Sequence, residues 1–211
     1  MKNRNNNKVV SFDIDGVVRD LYIEFDRYFG EIENLKVVND KINGVVEKYD
    51  IQTKSLQDYL LLNASYEEIR NIYVNAKVIN GFKELCDELK DMGYDIYLIS
   101  SQRYNSFNSD LFIKLTTEFL MLNNIRFDKL IYTAPYESKI DIVKRNNIMV
   151  HVDDEIKVCE KIMEKTDCIP IIFNGWTKIY DDGGEIESDC ASVNSHAELL
   201  ELFENASLLD R

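Results

Sequence analysis

The chain has 211 residues, 45% of them hydrophobic, enough to bury roughly two thirds of its unfolded surface in one globular domain or in a core with an inserted subdomain. Thirty-eight acidic against 25 basic residues leave a formal charge of -13, which excludes a broad electrostatic footprint for a nucleic acid polymer. The opening MKNRNNNK is polar and runs into an apolar segment too brief for a signal peptide or a membrane span, so a cytoplasmic protein without a membrane partner is expected.

Cys86, Cys159, Cys168 and Cys190 are scattered, with no CxxC pair and no histidine at zinc spacing, and read as reduced thiols. With His151 and His196 as the two histidines, there is little material for a Ser-His-Asp site.

In chain order, the nearly continuous apolar run from Val9 to Ile14, followed by Asp15-Gly16, predicts a buried parallel strand that ends in a loop. Residues Asp95–Ile99, Lys129–Tyr132, Ile148–Val152 and Ile169–Phe173 have the same character. Helical patterns lie between them. Gly81–Met92 places Phe82, Leu85, Cys86 and Leu89 on one face, with Gly93 to close the helix. Leu111–Leu122 follows, capped by Ser109 or Asp110, and then come Ser138–Arg145, Glu155–Lys165 and a last helix opened by a capping box at Ser195–Glu198. The βαβ alternation predicts an α/β fold, a Rossmann-like parallel sheet in a three-layer sandwich, whose ligands bind beyond the carboxyl ends of the strands.

One stretch breaks the alternation. From Asp20 to about Asn80 no strand is expected. Leu21, Phe25, Tyr28 and Phe29 recur at helical spacing, as do Ile42, Val45, Val46 and Tyr49, and a capping box at Ser65–Glu68 starts a helix through Ile69, Ile72, Tyr73 and Ala76. The expected organisation is a core of residues 8–19 and 80–211, with residues 20–79 as a small helical cap placed over the strand ends.

The strand ends carry the chemistry. Asp13 and Asp15 follow the first strand, Ser100 and Ser101 the second, Lys139 opens the helix after the third, and Asp153 and Asp154 follow the fourth. Singly, each is a common cap, turn or solvated group. Together they would meet in one crevice, where adjacent aspartates repel one another without a cation. Several carboxylates in one cleft suit a hard divalent ion, and Mg2+ held by carboxylates also takes phosphate oxygens from a substrate. That chemistry is phosphoryl transfer. Asp13 has the place of a nucleophile, Asp15 of a general acid and base, and Ser100 and Lys139 of donors to a phosphoryl group. Gly16 allows the tight path after Asp15, and Asp154 with Asp153 would complete a metal site.

The ordered set DIDGVV, LISS, Lys139 and HVDDE resembles the four motifs of the haloacid dehalogenase (HAD) superfamily, over the core from Val9 to Phe173. The resemblance implies a magnesium-dependent enzyme with an aspartate nucleophile, in which Asp13, the backbone carbonyl of Asp15 and Asp154 ligate the ion. An acid at Asp15 resembles the family's phosphatases, and the helical insertion resembles its small cap. DIDGVV, LISSQ and VDDE followed by IPIIFNGW are similar to the 5'(3')-deoxyribonucleotidase-like branch, which implies a small phosphorylated substrate such as a nucleoside monophosphate. Arg19 and Asp20 stand where many members carry small or apolar residues.

Other readings remain open. A phosphotransferase or mutase would use the same nucleophile, and a non-catalytic relative would bind a phosphorylated ligand in the same cleft. A receiver domain would carry its acidic pair before the hydroxyl and the lysine, the reverse of the order here, and no GxxxxGK run supports a P-loop kinase. Arg19, Gln102, Arg103 and Ser101 flank the cleft as substrate contacts or as plain surface groups. Trp176 and Tyr180 suit a packed loop or a stacking face, Asp181 and Asp182 a turn, and His151 a structural place on its strand. The sequence leaves the oligomeric state open.

Overall fold

In the computed structural model, the structure describes residues 8–31, 56–101, 109–133, 138–175 and 188–205. Gln102, Arg103, Trp176, Tyr180, Asp181, Asp182 and the Ile42–Tyr49 pattern lie outside the described residues.

Six strands form one parallel sheet: β1 (Lys8–Asp13), β4 (Tyr94–Ser100), β5 (Lys129–Tyr132), β6 (Val150–Asp153), β7 (Ile169–Phe173) and β8 (Ala191–Val193), in the order β5-β4-β1-β6-β7-β8. β1 is central, and the order reverses on either side of it, which opens a crevice at its carboxyl end. Alternate side chains of a strand point to opposite faces. One face sends Val10, Phe12, Ile96, Leu98, Val150, Val152, Ile171 and Phe173 into a core with α4 (Phe82–Asp91) and α8 (His196–Glu204). The other buries Val9, Ile99 and Ile131 against α6 (Lys139–Arg145) and α7 (Ile156–Lys165). The three-layer α/β sandwich follows from this alternation, as the near-continuous apolar strands require.

Helix α1 (Leu21–Glu31), α2 (Leu56–Asn63) and α3 (Tyr66–Val74) make a separate apolar cluster through Leu21, Phe25, Phe29, Leu60, Ile69, Ile72 and Tyr73. This cluster takes in Phe112 and Leu115 of α5 (Ser109–Leu122), so the helical insertion is seated on a core helix. No described helix is long and apolar enough to cross a membrane. The four cysteines are free and buried.

Several boundaries differ from the sequence expectations. β1 and β6 end at Asp13 and Asp153, so these carboxylates finish strands rather than follow them. Helix α5 already includes Ser109 and Asp110, which are therefore not its cap. The capping box at Ser65–Glu68 is complete. At α8, by contrast, Ser195 accepts from the Glu198 N–H at 3.1 Å, but the Glu198 carboxylate takes the Asn194 N–H at 2.7 Å instead of that of Ser195. Ser138, expected inside its helix, is instead the N-cap of α6 in a full box with Asp141. The insertion also holds a strand pair that the pattern did not show: β2 (Arg19–Asp20) lies antiparallel to β3 (Lys77–Val78) where the chain leaves and re-enters the core. At two residues each, these strands are too short for an alternating signal. β8 was missed for the same reason.

Two glycines isolate what the turn after β1 demands. Gly16 has φ +87° and donates its N–H to the Arg19 carbonyl at 2.9 Å; a Cβ there would fall 2.2 Å from the Asp154 Oδ2. Gly93, after α4, has φ +83° and open space where a Cβ would go. Gly93→Ala should therefore cost about 1 kcal/mol from left-handed strain alone, and Gly16→Ala at least about 1 kcal/mol more, measured by chemical denaturation. Equal losses would contradict the close approach of Asp154.

His196 supplies a second prediction. It is buried, stacks on Phe173 with ring centres 4.4 Å apart, and donates Nδ1–H to the Asn80 carbonyl at 3.0 Å. Among the described residues its Nε2 has no partner. Burial pushes its pKa down to about 4 from the ordinary 6.5, against the pull of the carbonyls beside it. The unfolded chain thus binds the proton more readily, so this contribution is full above pH 6.5 and is lost as pH falls towards 4. Denaturation from pH 7 to pH 4 should cost the wild type up to about 3 kcal/mol more than His196→Phe. Parallel curves would contradict the buried neutral imidazole.

Candidate active site

At the carboxyl ends of β1, β4 and β6 the sequence candidates converge. Asp13 closes β1 and is 7% exposed, Ser100 closes β4 and is buried, and Asp153 closes β6 and is fully buried. Asp154 comes next in the chain, and Lys139, the first residue of α6, reaches in from the adjacent crossover. The Lys139 Nζ donates to the Asp13 Oδ1 and to the Asp153 Oδ2, each at 2.6 Å.

One oxygen from each of Asp13, Asp153 and Asp154 can be chosen so that all lie within 4.8 Å of one another. Hard carboxylate oxygens at that spacing fit a divalent cation such as Mg2+. The three are not equivalent. Asp153 accepts from the protein at both oxygens: its Oδ2 takes Lys139 and the His151 Nε2 at 3.0 Å, and its Oδ1 takes the Glu155 N–H at 3.0 Å. A carboxylate there can only accept, so His151 carries its proton on Nε2, and its Nδ1 accepts from the Ser11 hydroxyl at 2.8 Å. His151 thus stands behind the site as a structural support. Asp13 keeps one oxygen clear of Lys139, and Asp154 accepts from the Tyr22 hydroxyl at 3.3 Å.

The electrostatics separate these carboxyls further. Burial, with Asp153 and Asp15 nearby, pushes Asp13 up to about 7 against the pull of Lys139. Burial and the neighbouring Asp13 and Asp153 likewise hold Asp154 well above the carboxylate range. Asp153 goes the other way: burial opposes its charge, but the Lys139 ammonium and the His151 N–H outweigh that and lower its pKa. Burial also works against the charge of Lys139, and the two carboxylates overcome it, so the ammonium is held. Two carboxyls raised towards neutrality stand beside one that stays ionised, an arrangement in which a divalent cation would favour the charged forms.

Asp15 stands apart from this cluster. Its side chain, 30% exposed, is held by Arg19, whose Nε and Nη2 lie 2.7 and 2.6 Å from the Asp15 Oδ1. Arg19 itself is the largest correction to the sequence reading. Expected at the cleft rim, as a surface group or a substrate contact, it is wholly buried and spends its donors on Asp15, the Tyr73 carbonyl and the Thr116 hydroxyl. Ser101 is exposed beyond β4, and Gln102 lies outside the described residues. Tyr22 was missed because it lies off the apolar stripe of α1, where a half-buried tyrosine gives no signal of its own.

No protein-family model matches the sequence, and no curated protein matches it. Solved structures do. A HAD phosphatase from Thermococcus onnurineus is similar over 93% of this chain and 97% of its own, at 17% identity and a TM-score of 0.54. A dehalogenase with an intermediate complex is similar over 93% and 96%, at 13% identity and 0.59. A D,D-heptose bisphosphate phosphatase from B. bronchiseptica, complexed with magnesium and phosphate, is similar over 95% and 99%, at 12% identity and 0.50. With its sheet order, its insertion after β1 and these neighbours, the chain has the fold of the haloacid dehalogenase superfamily.

Proposed function

We propose that this chain is a magnesium-dependent phosphatase that works through an aspartyl-phosphate on Asp13. The observation that carries the reading is the convergence of Asp13, Lys139, Asp153 and Asp154 at adjoining strand ends, with Ser100 closing the neighbouring strand and Asp15 two residues beyond Asp13. A neighbour of the same fold complexed with magnesium and phosphate supports the same assignment.

In this reading Asp13, Asp154 and the backbone carbonyl of Asp15 hold Mg2+, while Asp153, with its oxygens already bonded, orients Lys139. The bound ion would neutralise charge on the carboxylates and on phosphoryl oxygens. Lys139 fixes Asp13 by one oxygen and offsets the charge that builds on the phosphoryl group, and the Ser100 hydroxyl donates to a phosphoryl oxygen. Asp13 attacks phosphorus, and the ester oxygen leaves with the proton of Asp15. Asp15, now a carboxylate, takes a proton from water as that water attacks the phosphorus of the Asp13 acyl phosphate, which releases phosphate and restores both groups. The helical insertion, residues 20–79, acts as a cap over this crevice.

The dehalogenase neighbour shows that the fold also carries other chemistry. Asp15 favours ester cleavage, because a carboxyl beside the nucleophile can protonate a leaving oxygen. Nucleoside monophosphates head the candidate substrates on the likeness of DIDGVV, LISSQ and VDDE to the nucleotidase-like branch.

Hydrolysis of a panel of nucleoside monophosphates and sugar phosphates should appear with Mg2+ and vanish with a chelator. Asp13→Asn should abolish it, and Asp15→Asn should slow it by about 10²–10⁴-fold. Full turnover by Asp13→Asn would remove the nucleophile. Transfer of the phosphoryl group to a second substrate would favour a mutase or phosphotransferase, and tight binding without turnover a non-catalytic relative.

A further inference from the structure

A fully buried arginine is costly to keep, since removing a guanidinium from water takes several kcal/mol unless its donors are matched. Arg19 is matched throughout. Nε and Nη2 point at the Asp15 Oδ1, Nη1 donates to the Tyr73 carbonyl at 2.9 Å, and Nη2 also reaches the Thr116 hydroxyl at 3.2 Å. The guanidinium carbon lies 5.0 Å from the ring centres of both Tyr73 and Phe119, so the cation also packs against two aromatic rings. The backbone reinforces the arrangement: the Arg19 N–H donates to the Ile14 carbonyl at 2.8 Å, and its carbonyl accepts from Gly16. The fork and the carboxyl it grips are thus fixed to the same turn.

We propose that Arg19 is a positioning residue for proton transfer by Asp15. This rests on the phosphatase reading above. Both of its bonds to Asp15 land on Oδ1, so the proton that Asp15 exchanges with the leaving oxygen or with water belongs on Oδ2. The other anchors of Arg19 lie on two different bodies: Tyr73 on α3 of the insertion and Thr116 on α5 of the core. The orientation of the catalytic carboxyl is therefore set by how the insertion is seated on α5.

A structural staple and a positioning residue differ in which substrates they affect. An alkyl phosphate needs its leaving oxygen protonated, whereas p-nitrophenyl phosphate does not, and kcat/KM reports the step in which that ester bond breaks. Arg19→Met, measured with Mg2+, should lower kcat/KM for an alkyl phosphate about tenfold to a hundredfold and that for p-nitrophenyl phosphate by less than about threefold. In an Asp15→Asn background the same substitution should have almost no further effect on the alkyl ester. Thr116→Val, which removes one anchor and keeps the shape, should give the same pattern at smaller amplitude and covers the case in which Arg19→Met does not fold. Equal losses on both esters, or a full Arg19 effect that persists without Asp15, would overturn the proposal while leaving the phosphatase reading intact. A wild-type protein that hydrolyses neither ester would sink both.

Discussion

The crowding of like charge at the carboxyl end of the sheet is the constraint on which the rest of this site depends. Asp13, Asp153 and Asp154 bring oxygens within 4.8 Å of one another in a nearly dry crevice. Two unit charges about 4 Å apart repel by about 4 kcal/mol at an effective dielectric of about 20, a large fraction of the stability of a whole domain. Lys139 answers that repulsion between Asp13 and Asp153, and His151 and the Glu155 N–H secure Asp153 further. Asp13 and Asp154 respond by rising in pKa. A cation bound there would displace protons and leave Asp13 ionised.

The fold serves that crowding. Parallel strands on both sides of β1 direct their carboxyl ends to the same edge, so two segments far apart in the chain deliver acids to one point without any long-range sequence signal. Gly16 lets the chain turn against Asp154 with no Cβ between them. The same turn carries Arg19 inward to Asp15 and launches the insertion whose α3 closes over the arginine. The carboxylate cluster, the proposed proton-transfer group and the helical insertion are thus joined through seven residues, Asp13 to Arg19.

Much of this was legible in the sequence because burial leaves a pattern. Apolar runs exposed five of the six sheet strands, and the polar residues at their ends are the ones the fold brings together as the candidate site. The capping box at Ser65 marked α3 from four residues. What escaped has physical causes. Strands of two or three residues are too short to alternate, which hid β2, β3 and β8. Arginine is ordinarily a surface residue, so a wholly buried Arg19 is visible only through partners contributed by Tyr73, Thr116 and Phe119, each far along the chain. The Asp153–Asp154 pair reads as two equal ligands, and only the donors packed around Asp153 show that its oxygens are already occupied.

The central claim is that Asp13 itself becomes phosphorylated. The most direct measurement is mass spectrometry of the acid-quenched protein after brief mixing with Mg2+ and p-nitrophenyl phosphate, using Asp15→Asn to slow the second half of the cycle. The account predicts one added phosphoryl group, carried by the peptide that contains Asp13 and absent when the ion is chelated. A phosphoryl group on another residue, or turnover with no phosphoprotein at any time, would contradict it.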